Sequence, residues 1–319
     1  MTASASRSTI SPPSWTATSR TSSRPCAWRA GRRRVRSEGP VAIGGLIEAA
    51  ALRLRAAGVT KPRREAHRLW AWVSRSSPGE AYLSRDRGAE HEPAREFERA
   101  VGRRIAGEPL AYVLGSTGFR HLTLRCDRRA LIPRPETEGV VELALERVLS
   151  GRAVDLGTGT GCLALALARE GRFDEVVAVD SSAEALALAR ENAVLTGGGI
   201  RLIRSDLGAA LRGERFDLLV ANPPYLTDAE YGALDPSVKA WEPRSALAAG
   251  ADGLEVTGRI LEEGPRLLRP GGWLVMELDS TRSGDAATIA RSLGWAEVRV
   301  HDDLFGRPRY LAARREHLE

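Results

Sequence analysis

Apolar residues recur at helical spacing through IGGLIEAAALRLRAA (43–57), with Gly58 at the stop. PRREAHRLWAWVS (62–74) opens on Pro62, whose fixed φ suits a first helical turn. PGEAYLS (78–84) and EPAREFERAVGRRIAG (92–107) continue the helical period. Together they predict a small helical domain over 41–109, too short to hold much core alone. Across LAYVLGSTGFRHLTLRCDRRAL (110–131) apolar residues alternate around Gly115 and Gly118, which predicts a linking β-hairpin.

Beyond residue 131 short apolar runs alternate with helical patterns. Strands are predicted at GRAVDLG, DEVVAVD, GIRLIRSD, RFDLLVA and GGWLVMEL. Helices are predicted at GCLALALAREG, SAEALALARENAVLTG, DGLEVTGRILEEGPRLL and RSGDAATIARSLG. WAEVRVHDDLFGRPRYLAARR (295–315) closes the chain as a strand pair. Such alternation predicts an α/β domain over 132–319, a parallel sheet with right-handed crossovers and an antiparallel strand at one edge.

Charge changes the picture little for the folded part. The net charge is +6, but eight arginines against one glutamate put +7 in residues 1–40 and leave −1 for 41–319. That near-neutral balance lacks the surplus of a dedicated duplex binder. No apolar run approaches the roughly 18–20 residues of a membrane span. The Ser/Pro/Arg-rich residues 1–40 carry no hydrophobic period and are expected to be disordered. They read either as an organelle transit segment or as an upstream start, with Val41 near the working start. Cys26, Cys126 and Cys162 show neither a disulfide framework nor zinc-ligand spacing, so a reduced, cytoplasmic, metal-free protein is expected. Cys162 reads as a small packing residue, since no histidine stands near it in sequence.

The first chemical motif is VDLGTGTGCLALALA (154–168). Gly157, Gly159 and Gly161 between a buried strand and a helix let a ligand approach the backbone, although a tight turn needs glycine too. Asp180, at the end of the next strand, is placed to accept both hydroxyls of a ribose. That much allows NAD or S-adenosylmethionine. Asp155 at the head of a DxGxGxG loop would repel a pyrophosphate and suits a cationic methionine end, so S-adenosylmethionine is favoured. Asp206 in RSDL is placed for an adenine amino group.

The second motif is NPPY (222–225), after the fourth strand of the sheet. Asn222 offers an acceptor oxygen and an NH₂ donor. Pro224 holds Pro223 extended, so the Pro223 carbonyl points in a set direction. Two such acceptors hold both hydrogens of one planar NH₂ group and aim its lone pair at an electrophilic methyl. Tyr225 can stack on the planar acceptor. Amide and adenine remain open on this motif alone, and a rigid strand cap is the plainer alternative.

Other stretches resemble one family. RRIAGEPLAYVLGSTGFRHLTLRCDRRALIPRPETE (103–138), NPPY and WEPRSALAAGADGLEV (241–256) are similar to the release factor glutamine methyltransferases, over roughly residues 43–319. The resemblance implies a Rossmann-like S-adenosylmethionine-dependent methyltransferase sheet of seven strands. It implies methyl transfer to the glutamine of the Gly-Gly-Gln motif in peptide chain release factors; separately, a monomer needing neither nucleic acid nor membrane is expected. By position, Asp155, Leu156, Gly157, Thr158 and Gly159 would line the methionine side and Asp180 the ribose, with Asp206 and Leu207 by the adenine. Asn222, Pro223, Pro224 and Tyr225 would hold the glutamine, Asn222 also bordering the cofactor. The 132–138 stretch would cover that site, while Glu136 and Glu138 also read as a helix N-terminal charge pair. Two departures stand out: Leu207 where some relatives carry an aromatic residue, and MELDSTRSGD in place of a commoner acidic-Gly-aromatic pattern. The rival readings are a nucleic-acid adenine methyltransferase and a non-catalytic cofactor-binding protein.

Overall fold

The computed structural model describes residues 41–316, so the expectations for residues 1–40 lie outside the described residues. Helices α1 (Ile43–Ala56), α2 (Pro62–Val73), α3 (Pro78–Leu83) and α4 (His91–Ile105) form where the apolar period places them. Pro62 does open α2, and Ser77 and Glu80 close a capping box on α3. The apolar stripes meet around Ile47, Leu54, Leu69, Trp70 and Phe97, with the Trp70 and Phe97 rings edge to face at 5.4 Å.

One boundary differs from the sequence reading. Residues 110–114, expected as hairpin strand, form a short helix, α5 (Leu110–Leu114). Pro109 presets the turn into it and Gly115, at φ 68°, ends it in the left-handed region. The hairpin is therefore β1 (Ser116–Phe119) and β2 (Leu122–Arg125), turning through Arg120 and His121. Three helices add to the predicted set: α6 (Glu138–Arg147), α9 (Asp228–Ala233) and α10 (Pro236–Trp241).

The remaining strands are β3 (Ser150–Leu156), β4 (Arg172–Asp180), β5 (Arg201–Arg204), β6 (Phe216–Ala221), β7 (Leu268–Glu277), β8 (Ala296–Asp302) and β9 (Pro308–Arg314). They form one seven-stranded sheet in the order β5-β4-β3-β6-β7-β9-β8. Strands β3 to β7 pair in parallel, and β9 runs antiparallel to both its neighbours. The antiparallel strand thus sits one place in from the edge, and β8 takes the edge. Burial explains the choice: Tyr310 to Ala313 on β9 are buried, whereas β8 alternates between exposed and half-buried positions.

Helices α7 (Cys162–Glu170), α8 (Ala183–Thr196), α11 (Glu255–Leu267) and α12 (Ser283–Ser292) make the crossovers. One core packs α11 and α12 against Val154, Val177, Leu219, Leu274 and Leu311. The other packs α6, α7 and the hairpin against Ala153, Ala178, Leu218 and Val275. Side chains alternate between the two faces along each strand, as the pleat requires. No helix among the described residues is long and apolar enough to cross a membrane.

The register decides what happens at the carboxyl edge. Leu156 pairs with Val179 on one side and Ala221 on the other, and Ala221 pairs with Met276. The next residues along each strand are Asp180, Gly157, Asn222 and Glu277, so they emerge in one row. Strand order reverses between β3 and its neighbours β4 and β6, the place where an open α/β sheet leaves a crevice for a ligand.

Candidate active site

That crevice is a cavity of about 240 Å³ lined by residues from four sources. The glycine loop gives Gly157, Thr158, Gly159 and Thr160. The ends of β4 and β5 give Asp180 to Ser182 and Ser205 to Leu207. The 129–137 segment forms another wall, and Asn222, Pro224 and the 243–246 turn close it.

The loop needs its glycines. Gly157, Gly159 and Gly161 have φ of 78°, 55° and 84°, where side chains are strained. Gly157 N and Thr158 N both donate to the Val179 carbonyl at 2.9 Å, tying the loop to β4. Asp180 accepts from Gly159 N and Ser182 N, each at 2.9 Å, one per carboxylate oxygen. Each oxygen keeps a further lone pair toward the cavity that it lines.

Asp155 lies beneath the loop, fully buried. Its Oδ2 accepts from the Thr158 hydroxyl at 2.6 Å and from Ala164 N, and its Oδ1 has no partner. Burial pushes its carboxyl up to about 7, against the pull of those two donors. Asp155 does not line the cavity; it supports the loop from below. Leu156 belongs to the sheet core, and its side chain does not line the cavity.

Past the end of β5, Asp206 pairs with Arg259 at 2.7 Å, and both border the cavity. Leu207 stands beside them with φ 43°, an uncommon conformation for a branched side chain. Asp206 therefore shares its carboxylate with a guanidinium that the sequence reading did not include.

The NPPY turn is pinned at several points. Leu226 N donates to the Leu247 carbonyl and Ala249 N to the Leu226 carbonyl. Gly253, at φ 74°, lies so close to the Tyr225 carbonyl that an added Cβ would sit 2.5 Å from it. Arg282 donates to the Asp252 carbonyl and pairs with Glu230 and Asp279. Pro223 is buried and Tyr225 half-buried, and only Pro224 of the three lines the cavity. Burial raises the Tyr225 phenol, with the nearby Glu277 carboxylate adding to it.

Asn222 is held from behind. Its Nδ2 donates to Thr137 Oγ1 at 3.0 Å, and that hydroxyl donates to Glu277 Oε2 at 2.7 Å. Thr137 and Glu277 are both buried. Glu277 occupies the very stretch where the sequence departs from the family pattern. An acidic residue ending an apolar strand, as Asp180 ends β4, was the signal available for it. Thr137 had none beyond its place in IPRPETE.

In that 132–138 segment, Ile132 to Arg134 and Thr137 line the cavity. Glu138 turns away, accepting from Arg120 N in the hairpin at 2.8 Å. Arg134 donates to both oxygens of the buried Glu242 at 2.7 Å, joining this wall to the segment after NPPY. Neither Glu242 nor Arg259 was legible as a site residue before folding.

A glycine loop at the switch point, a carboxylate ending the next strand and NPPY on a seven-stranded sheet with this strand order define an S-adenosylmethionine-dependent methyltransferase. The comparisons with known proteins agree. Residues 140–235 match the methyltransferase small domain profile, and residues 45–115 match the PrmC N-terminal domain. The release factor glutamine methyltransferase of Cereibacter sphaeroides is 40% identical over 270 residues, 84% of this chain and 96% of that one. That of Deinococcus radiodurans is 42% identical over 275 residues, 85% of this chain and 97% of its own. The chain belongs to the release factor glutamine methyltransferase family. Among solved structures, a methyltransferase from Pyrococcus furiosus aligns with a TM-score of 0.47 at 22% identity, covering 61% of this chain and 90% of that one. The hMettl16 catalytic domain aligns at 0.50 and 16% identity, covering 71% and 82%.

S-adenosylmethionine fits the residues present. Asp180 lines the cavity and keeps acceptors for hydroxyls, the loop glycines leave the backbone open to a ligand, and the buried Asp155 underpins that loop through the Thr158 hydroxyl.

Proposed function

We propose that this protein transfers the methyl group of S-adenosylmethionine to the side-chain amide nitrogen of the glutamine in the Gly-Gly-Gln motif of peptide chain release factors. Membership of the family supports the substrate class. The observation that carries the chemistry is the placement of Asn222 between the cofactor loop and Glu277, with its Nδ2 already committed to Thr137.

With Nδ2 turned back into the protein, Oδ1 is left as the acceptor of that side chain. Asn222 Oδ1 and the Pro223 carbonyl take the two hydrogens of the glutamine NH₂. An amide nitrogen is a poor nucleophile because its lone pair is delocalised. Holding both hydrogens directs the lone pair and favours pyramidalisation as the bond forms. Tyr225 covers one face of the planar amide. S-adenosylmethionine, when bound, supplies the methyl as an electrophile on a sulfonium. Gly157, Thr158 and Gly159 hold its methionine end over the buried Asp155, Asp180 holds its ribose, and Asp206 and Leu207 flank its adenine. The methylated nitrogen is acidic enough to lose its proton to water, so no strong base of the chain is required.

Incubating the protein with methyl-labelled S-adenosylmethionine and either a release factor or DNA tests this reading. Label is expected in the release factor, at its Gly-Gly-Gln glutamine. Label in DNA alone would replace it with the adenine reading. Asn222→Ala is expected to abolish transfer while leaving cofactor affinity nearly intact. Turnover within tenfold of wild type, about 1.4 kcal/mol, would remove the acceptor pair from the mechanism.

A further inference from the structure

We propose that Thr137 and Glu277 are positioning residues for this reaction, setting which end of the Asn222 amide faces the substrate. The inference rests on Asn222 being an acceptor for the glutamine NH₂.

A carboxamide is nearly symmetric in shape, and nothing in its size tells oxygen from nitrogen. The wrong end would present N–H groups to N–H groups and block substrate. What breaks the symmetry is the proton count behind it. Burial raises the Glu277 carboxyl, and the Thr137 hydroxyl and Arg309 pull it back down; as a carboxylate it only accepts, and so receives the one proton of the Thr137 hydroxyl, at 2.7 Å. Having donated, Thr137 Oγ1 can only accept from Asn222, at 3.0 Å. The amide is therefore forced to turn its nitrogen inward and its oxygen outward. Direction passes along the chain from Glu277 to Thr137 to Asn222, fixed by a group about 1% exposed.

The surrounding structure holds this chain rigidly. Register alone brings Glu277 beside Asn222, since Ala221 pairs with Met276. Thr137 arrives from a distant segment, carried by the turn Pro135–Thr137 that leads into α6. That turn is fastened where the Tyr310 hydroxyl donates to the Glu136 carbonyl at 2.6 Å. Tyr310 is itself the register partner of Glu277. Gly139 permits the approach: a Cβ there would lie 2.5 Å from the Tyr310 ring. Arg309 Nη1 stands 3.9 Å from Glu277 Oε1 and favours its ionised form without displacing Thr137.

Valine at 137 keeps the shape and removes the hydroxyl. Thr137→Val is expected to lower kcat by about 10–100-fold, the scale of a misplaced reacting group, with the Kd for S-adenosylmethionine unchanged. Thr137→Ser restores the hydroxyl and is expected to recover kcat to within about threefold. Glu277→Gln, which can donate as well as accept, is expected to lower kcat at least tenfold. The double variant Thr137→Val/Asn222→Ala is expected to be no worse than Asn222→Ala alone, because one function is lost once. Additive losses, or a Thr137→Val enzyme within threefold of wild-type kcat, would overturn the inference. If Asn222→Ala itself stays active, the reading of Asn222 fails instead. If Asn222→Ala is dead and Thr137→Val is normal, only the positioning role fails.

Discussion

Single residues here owe their chemistry to what surrounds them more than to their type. Asp155 heads the glycine loop and Asp180 ends the next strand, yet the two carboxylates do different work. Asp180 sits at the rim, and its two oxygens brace Gly159 N and Ser182 N. Asp180→Ala should therefore loosen the loop as well as remove a partner for ribose. Titration calorimetry is expected to show S-adenosylmethionine affinity falling by tenfold or more, and unchanged affinity would take Asp180 out of the site. Asp155 is buried, and its carboxyl rises from an ordinary 3.8 to about 7. The folded chain then binds that proton more tightly than the unfolded one. Its stabilising share is complete below about pH 4 and lost as pH rises through about 7. Asp155→Asn is expected to flatten this part of the stability curve, by an order of a few kcal/mol. Urea unfolding of the cofactor-free protein at pH 5 and pH 8 measures it. Equal pH slopes in the two proteins would refute the assignment.

At the scale of elements, helices and strands followed the hydrophobic period, and the errors have local causes. The 110–114 stretch looks like alternating strand, but Pro109 before it and Gly115 after it make it one helical turn. The NPPY turn is shaped by partners far away in sequence, which no window of the chain displays. Arg282, only 15% exposed at its side chain, joins Glu230, Asp279 and the Asp252 carbonyl beside Gly253, the residue that packs on the Tyr225 carbonyl. Arg282→Ala is expected to cost about 1–3 kcal/mol, as for lost charged hydrogen bonds, and to raise KM for the release factor more than for S-adenosylmethionine. Thermal melts and initial-rate kinetics check both, and a variant with wild-type KM for the protein substrate would contradict it. Asn192 makes a similar tie on the cofactor side. Fully buried on α8, it accepts from Arg125 N in the hairpin and donates to the Thr160 carbonyl in the glycine loop. Its helical neighbourhood reads as ordinary surface pattern, so only packing shows its role.

For the whole molecule, two cores flank the sheet and a separate core fills the helical unit. Helix α5 joins them: Val113 packs into the helical core, while Tyr112 packs with Cys126 and Ile132 and donates to the Ala130 carbonyl beside the cofactor cavity. A fragment spanning residues 110–319 keeps both sheet cores and every residue lining the cavity. It is expected to fold and to bind S-adenosylmethionine within about tenfold of the full chain. Circular dichroism and calorimetry test this. An unfolded fragment would show that the helical unit is required for the sheet's stability.

The sequence alone determined the order of helices and strands, the glycine loop, the strand-end Asp180 and the NPPY turn, because these are local or periodic features. It also carried the family, through stretches long enough to be specific. Tertiary structure decided the rest. Sheet register lined up Asp180, Gly157, Asn222 and Glu277, and chain crossing brought Thr137, Arg134 and Arg259 to them from far positions. Burial raised the Asp155 and Glu277 carboxyls, and the hydrogen-bond chain behind Asn222 set which way its amide points. Those outcomes depend on contacts across 50–140 residues of chain, such as Thr137 with Glu277 and Arg259 with Asp206, and no local pattern encodes them.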